Sequence, residues 1–158
     1  MDLDTFRLPS KQELKRFLEV NDIAPLVVKN AEKVTLISHE DFGTVGLTFI
    51  TSDNNGVINH GGGSYRNKGE KQPVDMLLSW QYGLTVLLIV INDNDIIEKA
   101  HKIVIHNTRG ENLIEHTNNK KHIVIVTDYL FNLEMGSFHT GDVFIYDKND
   151  IMILKQAL

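Results

Sequence analysis

The sequence predicts an α+β domain: a strand-rich sheet with an N-terminal amphipathic helix, one or two further short helices and a C-terminal β-hairpin. Three observations carry this. A capping-box signature opens the chain at Ser10, β-branched runs recur from residue 34 onward, and two apolar tetrapeptides flank a polar turn near the end. A length of 158 residues fits a single domain spanning 1–158, long enough to build a core without metal or disulfide staples.

Ser10-Lys11-Gln12-Glu13 follows Pro9, and Leu14, Phe17 and Leu18 then recur at helical spacing, so residues 10–20 read as a short amphipathic helix. Asn21, Asp22 and Pro25 end it, and residues 23–28 are apolar enough to tuck into the body. From Lys33 the period changes. Residues 34–38 and 46–51 read as paired strands around a turn at 40–43, and Asp53-Asn54-Asn55-Gly56 is a strong turn signal. Residues 59–72 hold three consecutive glycines, three basic residues and almost nothing apolar, so they read as a long loop.

Pro73 could open a helix over 73–82 that Gly83 stops. Residues 84–91 form the longest apolar run and read as a strand buried on both faces, central in its sheet. A short helix beginning at Asp95 and running through about His101, and a strand over 102–106, are both compatible with the next stretch, and 122–127 is a further β-branched strand. The hairpin is read at 143–146 and 151–154, joined through Asp147-Lys148-Asn149-Asp150. Trp80 and Tyr82 read as core or core edge, and Phe42 as part of an apolar strand pattern.

Composition narrows function. Sixteen Lys and Arg against twenty-one Asp and Glu give a net charge of −5, which argues against a nucleic-acid partner. The absence of cysteine excludes a disulfide framework, a thiolate zinc site and cysteine catalysis. No apolar run approaches the roughly 20 residues of a membrane-spanning helix, and no signal peptide opens the chain, so the expectation is a cytoplasmic protein away from membranes. No cofactor or metal-ligand set is legible: the nearest histidine pair, His101 and His106, misses the i, i+4 spacing of a helical zinc pair.

The glycine-rich stretch is the strongest local feature. Consecutive glycines let backbone N–H groups approach an anion, and Arg66, Lys68 and Lys71 make a basic island in an acidic chain. A phosphate-bearing small molecule would be held by Asn55, His60, Gly61, Gly62, Gly63, Ser64, Arg66 and Lys68; the plainer alternative is a surface loop whose glycines supply flexibility alone. The run Asn55 to Gly63 resembles the ADP-ribose-binding stretch of macro domains. The resemblance implies that Asn55 contacts the distal ribose and that residues 60–63 line the diphosphate. It covers about thirty residues and departs from the family pattern after the glycines, where Ser64-Tyr65-Arg66-Asn67-Lys68 replaces an apolar helix, and no second glycine-rich loop follows.

For hydrolytic chemistry the candidates are His60, His106, Thr108 and His116. His106-Asn107-Thr108 matches one His-x-Thr tripeptide of the kind two-histidine phosphoesterases use in pairs, and no second one occurs. His106, Thr108, Arg109 and His116 could face one cleft or line a solvated hairpin rim.

Two functions follow. The first is a small acidic intracellular binding or inhibitor protein that occludes a protein partner, of the toxin-immunity or phage anti-defence type, with its charge steering it toward a basic partner. The second is a nucleotide or phosphoester binding protein or hydrolase, for ADP-ribose-like or cyclic nucleotides, built on residues 55–71.

Overall fold

A strand whose side chains are nearly all apolar must be covered on both faces, and β6 (Leu84–Ile91), apolar but for Thr85, is covered by sheets rather than helices. Leu84, Val86, Leu88 and Val90 pack into one core with Val34, Leu36, Val45, Leu47 and Phe49. Leu87, Ile89 and Ile91 pack into another with Ile103, Ile105, Leu113, Val143 and Ile145. The computed structural model describes residues 5–66, 72–106, 112–127 and 142–157.

The elements run α1 (Lys11–Val20), β1 (Pro25–Ala31), β2 (Val34–Asp41), β3 (Thr44–Asp53), β4 (Gly56–Arg66), β5 (Val74–Gln81), β6, α2 (Asn94–Lys99), β7 (Lys102–His106), β8 (Asn112–His116), β9 (His122–Thr127), β10 (Asp142–Tyr146) and β11 (Met152–Ala157). They form three antiparallel sheets: β1-β2-β3-β4, β5-β6-β9 and β11-β10-β7-β8. The three-stranded sheet lies between the other two, so the architecture is three β layers with two cores.

This corrects the fold class. Among the described residues the chain is mostly β with two short helices on its periphery, not α+β. Two misread segments account for most of the difference. Residues 59–66 continue the strand β4 rather than forming a loop, and 74–81 form β5 rather than a helix. In β5, Met76 and Leu78 pack toward one core while Leu77 packs toward the other, which is a strand's alternation and not a helix's stripe. Trp80, expected in the core, is 64% exposed on this strand. Phe42 is fully exposed at the β2–β3 turn with φ 45°.

Other readings stand. The capping box is present: Ser10 Oγ accepts from Glu13 N–H at 3.1 Å, while Glu13 Oε1 accepts from Ser10 N–H at 3.0 Å. Glu13 also takes Arg7 at 2.6 Å and Ser52 at 3.2 Å, tying α1 to the outer face of the first sheet. Strands β6 and β9 and the β10–β11 hairpin lie where the residue patterns place them.

Side chains from the outer sheets bond to one backbone position on each edge strand of the central sheet. Lys29 Nζ on β1 donates to Val124 O on β9 at 3.0 Å. Gln156 on β11 takes both backbone groups of Val74 on β5: its Oε1 accepts from Val74 N–H at 3.1 Å, and its Nε2 donates to Val74 O at 2.7 Å. Backbone groups that an edge would otherwise leave unpaired are thereby occupied at these positions. No helix among the described residues is long and apolar enough to cross a membrane.

Candidate functional site: an acidic cleft between α1 and β2

Strand alternation in β2 sends Leu36, Ser38 and Glu40 toward the central sheet and Ile37, His39 and Asp41 to the opposite face, where His39 and Asp41 meet the end of α1. His39 and Asp41, with Thr48 of β3 and Asn59 of β4, form one wall of a cleft of about 490 Å³. Phe17, Asn21, Asp22, Ile23 and Ala24, from the last turn of α1 and the segment after it, form the other wall, and Glu40 reaches its rim. Phe17, Ile23 and Ala24 give it an apolar wall, while Asp22, Glu40 and Asp41 bring three carboxylates; among the described residues no Lys or Arg lines it, and Lys121 reaches only Glu40, at the rim.

His39 lies in this wall with Nε2 3.4 Å from Thr48 Oγ1. Burial lowers its pKa against the opposing pull of Asp41, so the imidazole is neutral at pH 7. Its ring occupies the space over Gly46, where a Cβ would stand 2.7 Å from His39 Cε1; only glycine admits the ring there.

Behind the cleft is a buried polar chain. His122 is 2% exposed and Ser38 is fully buried. His122 Nδ1 stands 3.0 Å from Ser38 Oγ, and its Nε2 stands 2.9 Å from Glu40 Oε1. Lys121 Nζ meets the same Glu40 oxygen at 2.8 Å. An ionised carboxylate only accepts, so Nε2–H donates to Glu40 and Nδ1 accepts the Ser38 proton, an assignment made from the hydrogen-bond network. Burial lowers the His122 pKa, outweighing the hydrogen bond to Glu40 that would raise it. Burial pushes the Glu40 carboxyl up, but the hydrogen bonds from Lys121 and His122 outweigh it and hold it below its usual range. Both directions describe a neutral imidazole donating to an ionised carboxylate.

Serine, histidine and glutamate in a row are the residues of a nucleophilic triad. Here the serine is fully buried and donates to the imidazole, so no substrate reaches it. The chain pins β9 to β2 and holds Glu40 at the cleft rim. Among the described residues no group of three or more His, Asp or Glu is arranged to hold a metal ion.

The residues singled out in the sequence are placed elsewhere. Asn55 sits in the β3–β4 turn with its N–H donated to Asp53 Oδ1 at 2.7 Å. His60, Gly61, Gly62, Gly63 and Ser64 lie along β4, which ends at Arg66. Asn55 and Ser64 are therefore roughly 25 Å apart along one strand. Gly62 is the extra residue of a bulge, since Leu47 pairs with Gly63 and Thr48 with Gly61. A Cβ on Gly62 would stand 2.5 Å from Phe49 Cε2, so its absence makes room for a core aromatic ring. Successive N–H groups of a strand also alternate in direction, unlike those of an anion cradle.

Lys68, Lys71, Thr108 and Arg109 lie outside the described residues. His106 and His116, expected to face one cleft, stand at opposite ends of the β7–β8 ladder, opposite Asn112 and Lys102 respectively, about 13 Å apart. His106 Nδ1 is 2.6 Å from Asn112 Oδ1, and the His116 ring stacks edge-on with His101 at 5.5 Å. His60 meets the Tyr82 ring edge-on at 5.4 Å.

The groups that do converge, Asp22, His39, Glu40, Asp41, Lys121 and His122, carry no local motif. His122 and Glu40 are 82 residues apart, so only the tertiary fold joins them. No protein family, curated protein or solved structure matches the chain.

Proposed function

We propose that the chain is a cytoplasmic protein-binding module of the inhibitor type, toxin-immunity or phage anti-defence, that occludes a basic partner by receiving one of its Lys or Arg side chains in the α1–β2 cleft. The observation that carries this reading is the lining itself: Asp22 and Asp41 over an apolar wall, with Glu40 at the rim already taken up by Lys121 and His122. A Lys or Arg side chain has the matching form, an aliphatic stem for Phe17 and Ile23 and a charged head for Asp22 and Asp41. The net charge of −5 supports it by steering cationic partners toward the protein.

The nucleotide or phosphoester alternative draws no support from β4, where Gly62 answers to Phe49 and Asn55 lies far from Ser64. A photo-crosslinking residue placed at Asn21, beside the cleft, tests the proposal in the native host. The expected result is an adduct with a basic protein that does not form from the same residue placed at Asn149, in the β10–β11 turn. An adduct with an acidic protein, or one formed only from Asn149, would contradict it.

A further inference from the structure

Adjoining the acidic cleft is a second cavity, a groove of about 480 Å³. Its lining is apolar in Leu14 and Leu18, one helical turn apart on α1, and in Ile23 and Ala24. Lys11 and Lys15, also one turn apart, line it with Glu19 and Asp22. Asp22, Ile23 and Ala24 line the acidic cleft as well, so the two cavities meet at one stretch of backbone.

The end of α1 explains this arrangement. Ile23 N–H donates to Leu18 O at 2.9 Å, and Asp22 N–H donates to Glu19 O at 3.3 Å. This pair of bonds is a Schellman closure, which is commonly accompanied by an apolar contact between the residues of its longer bond; Ile23 and Leu18 both line the groove. The closure puts one residue in the left-handed region and favours glycine there, yet that residue is Asp22, at φ 52°. A carboxylate is also disfavoured at a helix C-terminus, the negative end of the dipole, and the last turn of α1 holds no basic residue. Both local preferences oppose Asp22, whereas a cation brought to this point meets its carboxylate and the helix end together.

We propose that the partner segment placing a Lys or Arg side chain in the cleft also lays a large apolar side chain, such as Leu, Ile, Met or Phe, in this groove, so that the element recognised is a basic and an apolar residue on either side of Ile23 and Ala24. The inference rests on the protein-binding reading of the cleft and deepens it. Continuity selects this occupant, because one short stretch of chain reaches both cavities across the three residues they share. Charge assigns the two side chains. Lys11 and Lys15 offset Glu19 and Asp22 in the groove, while in the cleft Asp22 and Asp41 face no lining cation among the described residues. The cation therefore goes to the cleft and the uncharged side chain to the groove.

The protein crosslinked from Asn21 is titrated by calorimetry, over a salt series, against the native chain, Leu14→Gln, Leu14→Met and Asp22→Asn/Asp41→Asn. Leu14 is partly exposed on a helix with no buried residue, so glutamine, a good helix former, leaves the fold intact there. The expected result is binding weakened about tenfold or more by Leu14→Gln, the worth of burying a leucine side chain, with its salt dependence unchanged and with affinity retained in Leu14→Met. Weakening by Asp22→Asn/Asp41→Asn with none by Leu14→Gln overturns the groove proposal and leaves the cleft reading standing; no weakening by either overturns both. Equal weakening by Leu14→Gln and Leu14→Met, or loss of self-association instead of partner binding in Leu14→Gln, also overturns the groove proposal.

Discussion

His122 Nε2 stands 2.9 Å from Glu40 Oε1, joining β9 of the central sheet to β2 of the first sheet through a buried, neutral imidazole. Since burial lowers the folded pKa of His122 below its ordinary 6.5, the unfolded chain binds the proton more readily. Stability from this group is fully present above pH 6.5 and is lost as pH falls from there through the folded value. Glu40, also lowered, acts in the same direction at lower pH. Urea unfolding between pH 8 and pH 5 should show stability falling with pH below 6.5, and His122→Gln should flatten the upper part of that slope. A profile unchanged by the substitution would contradict the assignment of a neutral His122.

Ser38→Ala should destabilise the protein by about 1–3 kcal/mol, because it leaves His122 Nδ1 buried without a donor. Equilibrium unfolding of the variant at pH 7.5 measures this. A loss below about 0.5 kcal/mol would mean that the Ser38 hydroxyl is not that donor.

Gln156 caps the start of the β5 edge, its side-chain amide bonding both backbone groups of Val74. Gln156→Leu keeps the bulk but strands the Val74 N–H and C=O, and should cost about 1–3 kcal/mol. Amide hydrogen exchange at Val74 should quicken more than at Leu88 in the middle of β6. Equal protection in the two proteins would show that Val74 is protected by other means.

The glycines of β4 separate packing from ligand binding. Gly62→Ala places a methyl 2.5 Å from the Phe49 ring and should cost about 1–3 kcal/mol, whereas nothing lies within 4 Å of a Cβ on Gly61. Gly61→Ala should therefore be close to neutral in thermal unfolding. Equal costs at both sites would argue against the packing role of Gly62.

This stretch also shows what was legible in the residues. The α1 cap, the doubly buried β6 and the last hairpin announce themselves through local chemistry: a serine three residues before a glutamate, an apolar run interrupted only by Thr85, and two apolar tetrapeptides about a turn. Residues 59–66 read as a loop because glycine lowers strand propensity, and the force that makes them a strand is the pairing of β3 with its partner and the Phe49 ring seated over Gly62. Pro73 and the mixed pattern after it suggested a helix, and the two cores on either side of β5 decided otherwise. The cleft was illegible for a plainer reason. His39 and His122 are two of seven histidines, and nothing near either in the sequence points to Glu40 or Asp22.

The central claim is that the acidic cleft receives a cationic side chain of a protein partner. The direct measurement is partner affinity, by calorimetry across a salt series, for the crosslinked protein identified from Asn21, against the native chain and an Asp22→Asn/Asp41→Asn variant. Loss of charged contacts worth about 1.5–3 kcal/mol should weaken binding tenfold or more and flatten its salt dependence. Unchanged affinity in the double variant would contradict the account.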